Sequence, residues 1–309
     1  MPDSTVSNGP GQPRITVIIP TVADERRAAT IWRAIASAGT SSGAATRILV
    51  VVNGGRYSPS LLEELRASPM IECVLVERGS LPLALREGRK AVRTEYFAFL
   101  DDDDEFLAGG LGRRLAAMTS QASAAFLISQ GWFHSNGRDM PQTSIEPSAI
   151  NSDPLGTLLR ENWVATSASG LYRTSAIDDT DFAEMPHFLE WTYLGFRLAA
   201  RHRFIYFEEP TYRRYDMPGS VSKSRAYQEG LVPALQGVLM LDLPATIKRA
   251  LRAKLGSHLH DVSALALESG DLASAWRHHC KSLALPGGLR FLLYTRHLIL
   301  PALANVGRS

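Results

Sequence analysis

Residues 15–100 alternate between two kinds of segment, and this alternation constrains the fold more than any other feature of the chain. Short apolar runs rich in Val and Ile are typical of buried strands, and the stretches between them place apolar residues at helical spacing. The runs predict strands over residues 15–20, 48–52, 71–76 and 96–100. Strands that alternate with helices favour parallel pairing, so the sequence predicts an α/β fold with a mostly parallel sheet.

Polar residues mark the starts of two of the intervening helices. Asp24 precedes apolar residues at positions 28, 31, 32 and 35, and this spacing predicts a helix with a cap at its first turn. Ser58 followed by Pro59 predicts a second helix, because proline is well suited to the first turn.

Four consecutive aspartates, Asp101 to Asp104, directly follow the fourth predicted strand. Partly buried neighbouring carboxylates raise each other's pKa, and a divalent cation removes that repulsion. Mg²⁺ and Mn²⁺ prefer oxygen ligands and often complete their shell with substrate phosphates. On charge alone a solvated acidic loop explains the run equally well. However, ligands of parallel sheets bind beyond the carboxyl ends of the strands, where residues 21–24, 53–56 and 101–105 converge, and this position favours a functional site.

Several motifs follow one another between residues 14 and 224. They are VIIPT at 17–21, FLDDDD at 99–104, LEWTYLGFRLA at 189–199, FEEP at 207–210 and PGSVS at 218–222. In order and spacing they resemble the family 2 inverting glycosyltransferases, which have a Rossmann-like GT-A fold and use nucleotide-diphosphate sugars. Each motif alone is weakly specific, and their ordered combination carries the resemblance.

The resemblance implies roles for residues at the ends of the predicted strands. It implies a nucleotide-sugar site formed by Pro20, Thr21, Asp24, Asn53, Asp101 and Asp102. It also implies that Asp103 coordinates Mn²⁺ or Mg²⁺ bridging the diphosphate, with Asp104 as a second candidate ligand. Because the family usually has aspartate at the position of Asn53, the nucleotide base stays open.

The most serious departure from the family is at Trp191, where the family normally has the catalytic aspartate of a Glu-Asp pair. We therefore predict Glu190 as the base that takes the proton of the acceptor hydroxyl. The alternative is that Glu190 only braces a helix. Asp181, Glu184 and His187 are reserve candidates for the base.

A second departure is at Met217, where the family often has a histidine. A thioether is a poor ligand for a hard cation, so the adjacent Asp216 is the third candidate metal ligand. Arg213, Arg214 and Lys223 are candidates for contacts with the diphosphate, or are ordinary surface charges.

Two tryptophans are predicted to contact the acceptor. Trp163 precedes a small polar stretch at residues 166–170, on the acceptor side of family members, and Trp191 occupies the position of a catalytic residue. Aromatic faces suit sugar rings, although buried tryptophans more often belong to a core.

Composition excludes several other functions. With 33 basic and 31 acidic residues, the chain has a net charge of +2 and no basic stripe typical of nucleic-acid binding. Its two cysteines, Cys73 and Cys280, fit neither a metal motif nor a disulfide framework, which favours a cytoplasmic protein. No apolar stretch reaches the length of about 18 residues needed for a membrane span.

The predicted organisation is a flexible leader at 1–13, a GT-A domain at 14–224 and an all-helical appendage at 225–309. A break at Gly270 predicts a helical hairpin. The segment 289–305 mixes bulky apolar residues with Arg290, Arg296 and His297. It predicts peripheral contact with the inner face of a membrane, or packing against the hairpin or another subunit of a homo-oligomer.

These features together predict a metal-dependent inverting glycosyltransferase in bacterial-type glycan or polysaccharide assembly, with a glycan or lipid-linked acceptor. The alternative is a catalytically impaired nucleotide-sugar-binding or scaffold protein, because Trp191 and Met217 replace functional residue types. A nucleotidyltransferase is disfavoured, since the loop after the first strand lacks a Gly-rich, basic motif.

Overall fold

The structure is a computed structural model, and it describes residues 12–41, 46–164, 166–217 and 224–299. The chain forms two compact units, with the boundary after Pro218. Several predicted features lie outside the described residues: most of the leader, the PGSVS motif at 218–222, Lys223, and residues 300–305 of the C-terminal segment.

Strands in the first unit form two sheets. In chain order the strands of the described residues are β1 (Ile15–Thr21), β2 (Thr46–Asn53), β3 (Ile71–Val76), β4 (Tyr96–Phe99), β5 (Glu105–Phe106), β6 (Phe126–Ser129), β7 (Trp132–Ser135), β8 (Arg138–Pro141), β9 (Gly170–Arg173), β10 (Phe204–Phe207) and β11 (Tyr212–Tyr215). The larger sheet has seven strands in the order β10-β6-β9-β4-β1-β2-β3. The smaller has four, in the order β5-β11-β7-β8.

Helices connect these strands and make up the second unit. In chain order those of the described residues are α1 (Ala28–Thr40), α2 (Pro59–Ala67), α3 (Leu81–Ala91), α4 (Gly110–Ser120), α5 (Pro147–Ser152), α6 (Pro154–Arg160), α7 (Glu190–Arg201), α8 (Arg225–Leu239), α9 (Ala245–Glu268) and α10 (Leu272–Leu283).

The larger sheet confirms the predicted α/β class. Strand β1 is an interior strand of this sheet, with Ile18 paired to Leu49 of β2 on one side and to Phe99 of β4 on the other. Both pairings are parallel, as is that of β2 with β3, so β1, β2 and β4 end at the same edge. The sequence did not predict β9, which runs antiparallel between β4 and β6.

Helices cover the sheet closely because the central strands are apolar on both faces. Every residue of β1 is buried, as expected for a strand between two packed layers. On α3 the contact requires glycine at position 88. A Cβ atom there would lie 2.5 Å from Cγ2 of Ile18, closer than packed carbon atoms approach.

The second unit is helical, as predicted for this part of the chain. Helices α9 and α10 form the expected hairpin, and Gly270 between them adopts a φ of +81° that disfavours other residues. Asp271 begins α10 by accepting a hydrogen bond from the backbone N–H of Ser274 at 2.9 Å. In the described part of the chain, no helix combines the length and apolar character that crossing a bilayer requires.

Candidate active site

The four aspartates that follow β4 alternate in exposure. Asp102 and Asp104 are 3% and 2% exposed, whereas Asp101 and Asp103 are partly exposed. A ligand at the carboxyl edge of the sheet therefore has access to the first and third carboxylates of the run. This is the spacing of a D-x-D motif.

Asp102 ties the end of β4 to the end of β1. The Thr21 hydroxyl donates a hydrogen bond to one of its oxygens at 2.5 Å, and the Arg27 guanidinium donates to the other. Burial nevertheless raises the pKa of Asp102, because loss of water outweighs the favourable charge of Arg27. Thr21 and Asp102 were both predicted to contact the nucleotide, and this stays a prediction. Their mutual hydrogen bond holds the loop that carries Asp101 and Asp103.

Asp104 ties the same loop to the smaller sheet. Its carboxylate accepts a hydrogen bond from the backbone N–H of Tyr215, on β11, at 3.1 Å. Burial, together with the charges of Asp101 and Asp103, holds the pKa of Asp104 well above its usual range. The buried position leaves Asp104 less available than Asp103 as a metal ligand.

Asp101 carries an unfavourable negative charge. Burial and, after it, the charge of the neighbouring Asp103 raise its pKa to about 7, while the Ser167 hydroxyl and Arg214 act in the opposite direction. An acid whose pKa is strongly raised by burial and by a neighbouring charge is a candidate functional residue. Asp103 forms an ion pair with the Arg27 guanidinium at 3.7 Å, and it shares this arginine with Asp102.

The other residues predicted to bind the nucleotide surround this edge of the sheet. Pro20 is buried within β1. Asn53, at the end of β2, accepts a hydrogen bond from the backbone N–H of Ser80 at 2.7 Å and so holds the start of α3. Asp24 caps the first turn after β1 and forms an ion pair with Arg26 at 2.7 Å. The Asp24 side chain is partly exposed. The parallel sheet thus brings the three predicted loops to one edge.

Strand β11 brings arginines to the acidic loop. Arg213 is held by Glu105 and Asp139, each at 2.8 Å, so its charge is already balanced. Arg214 forms no ion pair within the described ranges, and it lowers the pKa of both Asp101 and Asp104. Of the two, Arg214 is therefore the candidate for contact with a phosphate group.

The carboxylates fit a divalent cation that a substrate helps to hold. No three His, Cys, Asp or Glu side chains are grouped closely enough to bind a metal by themselves, as far as the described residues go. Asp216, at the end of β11, is exposed and accepts a hydrogen bond from the Ser135 hydroxyl at 3.1 Å. Mg²⁺ and Mn²⁺ are commonly held by one or two carboxylates together with phosphates, and Asp101 and Asp103 provide such a pair.

The predicted base lies at the first residue of α7. The Glu190 side chain is 8% exposed, and its carboxylate lies 3.2 Å from Nδ1 of His187, which is 62% exposed. The loop before the helix holds Glu184 and Phe188 at φ values of 60° and 78°. Such conformations cost non-glycine residues about 1–3 kcal/mol each and are concentrated at functional sites. Of the reserve candidates, Asp181 is bound to arginines of α7.

The two predicted acceptor tryptophans occupy different environments. Trp191 packs edge-to-face on Phe99 at 5.5 Å between ring centres, which places the start of α7 beside the end of β4. Trp163 is 1% exposed and stacks on Phe204 at 5.3 Å. Because no face of the Trp163 ring is open to a sugar, we correct its predicted role: this tryptophan belongs to the core.

The sequence interpretation missed two contributors to the site. Arg27 binds Asp102, and the Arg33 guanidinium donates to the backbone carbonyl of Asp103 while lying 4.2 Å from the ring centre of Tyr215. Both arginines follow Asp24 in a helical segment. A spacing of six residues does not place Arg27 and Arg33 on one helix face, so the sequence did not indicate that both would reach the acidic loop.

Comparison with known proteins agrees with this geometry. A family model described as Glycosyl transferase family 2 matches residues 16–180, which include β1 to β4 and the acidic loop. No curated protein sequence matches the chain.

Solved structures of S. aureus TarS resemble the chain. Residues 1–349 of TarS in complex with UDP-GlcNAc have 18% identity and a TM-score of 0.58, over 88% of this chain and 82% of that one. The same fragment with UDP has 17% identity and a TM-score of 0.53, over 80% and 72%. Another TarS structure has 18% identity and a TM-score of 0.51, and the match covers 43% of its length. At these identities the likeness establishes the fold, and it confirms the predicted GT-A class.

Proposed function

The chain belongs to glycosyl transferase family 2, and from this premise we propose that it moves a sugar from a nucleotide-diphosphate-sugar donor to a hydroxyl acceptor. We further propose that transfer inverts the anomeric carbon and requires Mn²⁺ or Mg²⁺. The observation that carries the proposal is the accessible pair Asp101 and Asp103, held at the carboxyl edge of the sheet by the buried Asp102 and Asp104.

The donor site is proposed at this edge of the sheet. Asp101 would face the ribose, and Asp103, together with Asp101, would hold the cation. Arg214 supplies a positive charge for the diphosphate, since it has no carboxylate partner within the described residues. When bound, the cation would act as a Lewis acid that offsets charge developing on the leaving diphosphate. Asp216 is kept as a third candidate ligand because it follows β11, the strand of Arg214.

We place the base at the pair formed by His187 and Glu190. The buried Glu190 carboxylate would accept the hydrogen on Nδ1 of His187 and so leave Nε2 free to take the acceptor proton. The acceptor oxygen would bond to the anomeric carbon as the bond from that carbon to the diphosphate breaks, with its electron pair leaving on the diphosphate. The sequence predicted Glu190 as the base. In this arrangement His187 would be the base and Glu190 would orient it, because the Glu190 carboxylate is almost fully buried.

Isothermal titration calorimetry tests the donor site. The full chain is titrated with UDP, GDP, CDP and dTDP in Mn²⁺ or in EDTA, beginning with UDP because the TarS structures hold it. We expect one nucleotide to bind only with Mn²⁺, and Asp103→Asn to weaken that binding at least tenfold. Asp242→Asn, at an exposed position in the second unit, is the control. Titration with Mn²⁺ alone reports the cation site independently of activity. Equal nucleotide binding by wild type and Asp103→Asn would contradict the proposal.

Hydrolysis of the bound donor and transfer to glycan acceptors test the base. We expect His187→Ala to lower the turnover rate by about 10²–10⁴, the usual contribution of a general base, with nucleotide affinity unchanged. Added imidazole should restore part of the rate. His202→Ala, at the other end of α7, serves as the control. Full activity of His187→Ala would refute the assignment.

A second candidate function is a nucleotide-sugar-binding scaffold without transferase activity. Two replacements favour it. Trp191, whose ring packs on Phe99, stands at the position where the family has an aspartate, and Met217 stands where the family often has a histidine. Metal-dependent nucleotide binding with no hydrolysis and no transfer would favour this function over the first.

A further inference from the structure

The last described segment of the second unit has two different faces. It consists of a 3₁₀ helix over Gly288–Tyr294 and a helical stretch from 295 to 299. One face is anchored on the hairpin: Leu298 is fully buried, and the Phe291 ring stacks on His260 of α9 at 4.1 Å between ring centres. On the same face, His279 of α10 binds the Thr295 hydroxyl at 2.8 Å. These contacts fix the orientation of the segment on its unit.

The opposite face exposes large aliphatic side chains. Leu289, Leu292, Leu293 and Ile299 are 75%, 55%, 79% and 44% exposed, and we call these four residues the leucine face. The described residues contain eight exposed large hydrophobic side chains, and half of them lie in this stretch of eleven residues. Single exposed apolar residues are ordinary, whereas a cluster marks a surface that binds another apolar surface.

Positive charge surrounds the leucine face. Arg290, Arg296 and His297 are exposed beside it, and neither arginine forms an ion pair within the described ranges. The charge also extends through this part of the chain: residues 225–309 contain ten Lys and Arg against five Asp and Glu, whereas residues 1–224 contain 23 against 26. Apolar side chains flanked by arginines that have no carboxylate partner within the described ranges suit the boundary between the headgroups and acyl chains of an anionic bilayer.

We propose that the leucine face binds an anionic lipid surface. The four aliphatic side chains enter the headgroup region, and Arg290 and Arg296 contact lipid phosphates. A second copy of the chain fits less well, because a two-fold interface here would bring the same arginines together. Eleven residues are also few for a stable dimer, which uses about 20–30 residues a side. The proposal does not depend on the transferase activity proposed above.

Co-sedimentation of the full chain with vesicles tests this surface. One set of vesicles contains phosphatidylcholine alone, and the other an equal mixture of phosphatidylcholine and phosphatidylglycerol. We expect binding to the mixed vesicles at least tenfold stronger than to the neutral ones, and weaker in high salt. Leu292→Ser combined with Leu293→Ser should lower binding to mixed vesicles at least tenfold. Arg290→Gln combined with Arg296→Gln should remove the preference for anionic lipid.

Two controls keep the result specific. Met240→Ser changes an 85% exposed apolar residue of the same unit outside the leucine face, and it should bind vesicles like wild type. Light scattering without lipid reports self-association. The proposal is overturned if wild type binds neither set of vesicles or if the Leu292→Ser, Leu293→Ser variant binds them as wild type does. It is also overturned if that variant converts a dimer to a monomer while its co-sedimentation with vesicles is unchanged. UDP titration of the same variants reports the donor site separately.

Discussion

Replacement of Asp101 by asparagine should stabilise the metal-free protein, and the gain should grow with pH. In the folded state the pKa of Asp101 is raised to about 7 from an ordinary 3.8, first by burial and then by Asp103. The folded state therefore holds the Asp101 proton more tightly than the unfolded state does. As pH rises from about 4 to about 7, the unfolded chain releases this proton first, so the stability of the wild-type protein falls across that window. Asparagine carries no charge and does not incur this loss.

The size of the effect follows from the shift. A difference of about three pKa units corresponds to about 4 kcal/mol. Asparagine should therefore gain little over aspartate near pH 4 and up to about 4 kcal/mol near pH 8. Removal of Asp101 also relieves Asp104, whose pKa it raises, and this change has the same sign.

Urea unfolding of wild type and Asp101→Asn in EDTA, at intervals from pH 4 to pH 8, measures the difference. The quantity to compare is its change with pH, because the side-chain swap itself adds a constant. Glu64→Gln, at an exposed position on α2, should show little change with pH. Saturating Mn²⁺ should stabilise wild type more than the variant and reduce the gain. A difference between Asp101→Asn and wild type that stays constant from pH 4 to pH 8 would refute the reasoning.

Three further substitutions test the scaffold around the site. Thr21→Val removes the hydroxyl that donates to Asp102 at 2.5 Å, and we expect a loss of about 1–3 kcal/mol in urea unfolding, because a buried acceptor loses its donor; no loss would show that the bond contributes little. Gly88→Ala should cost about 1–3 kcal/mol in the same assay by overpacking against Ile18, and a neutral result would mean that α3 can shift away. Trp191→Asp should lower stability by about 2–4 kcal/mol without raising the transfer rate, because it removes a packed ring; faster transfer would show that an aspartate at this position can act as the base.

Local patterns in the sequence were sufficient to predict many elements of the fold. The strand at Ile71–Val76 has the predicted limits. The second predicted helix begins after Ser58, which caps it as expected. The break at Gly270 separates the two predicted helices of the hairpin. Such features depend on residues a few positions apart, through side-chain periodicity and capping hydrogen bonds, so they can be read directly from the chain.

The sequence alone thus determined that an acidic run follows a buried strand at the ligand-binding edge of a parallel sheet. Only the tertiary structure decided which of the carboxylates are buried and which stay partly exposed. Asp102 is buried with a hydrogen bond from Thr21, which is 81 residues away in the sequence. Asp104 is buried with a hydrogen bond from the backbone N–H of Tyr215, which is 111 residues away. The burial of Trp163 and the approach of Arg214 on β11 were decided in the same way. Adjacent residues of one type are chemically equivalent in a sequence, and they become different only when distant segments provide hydrogen bonds to some and leave others exposed.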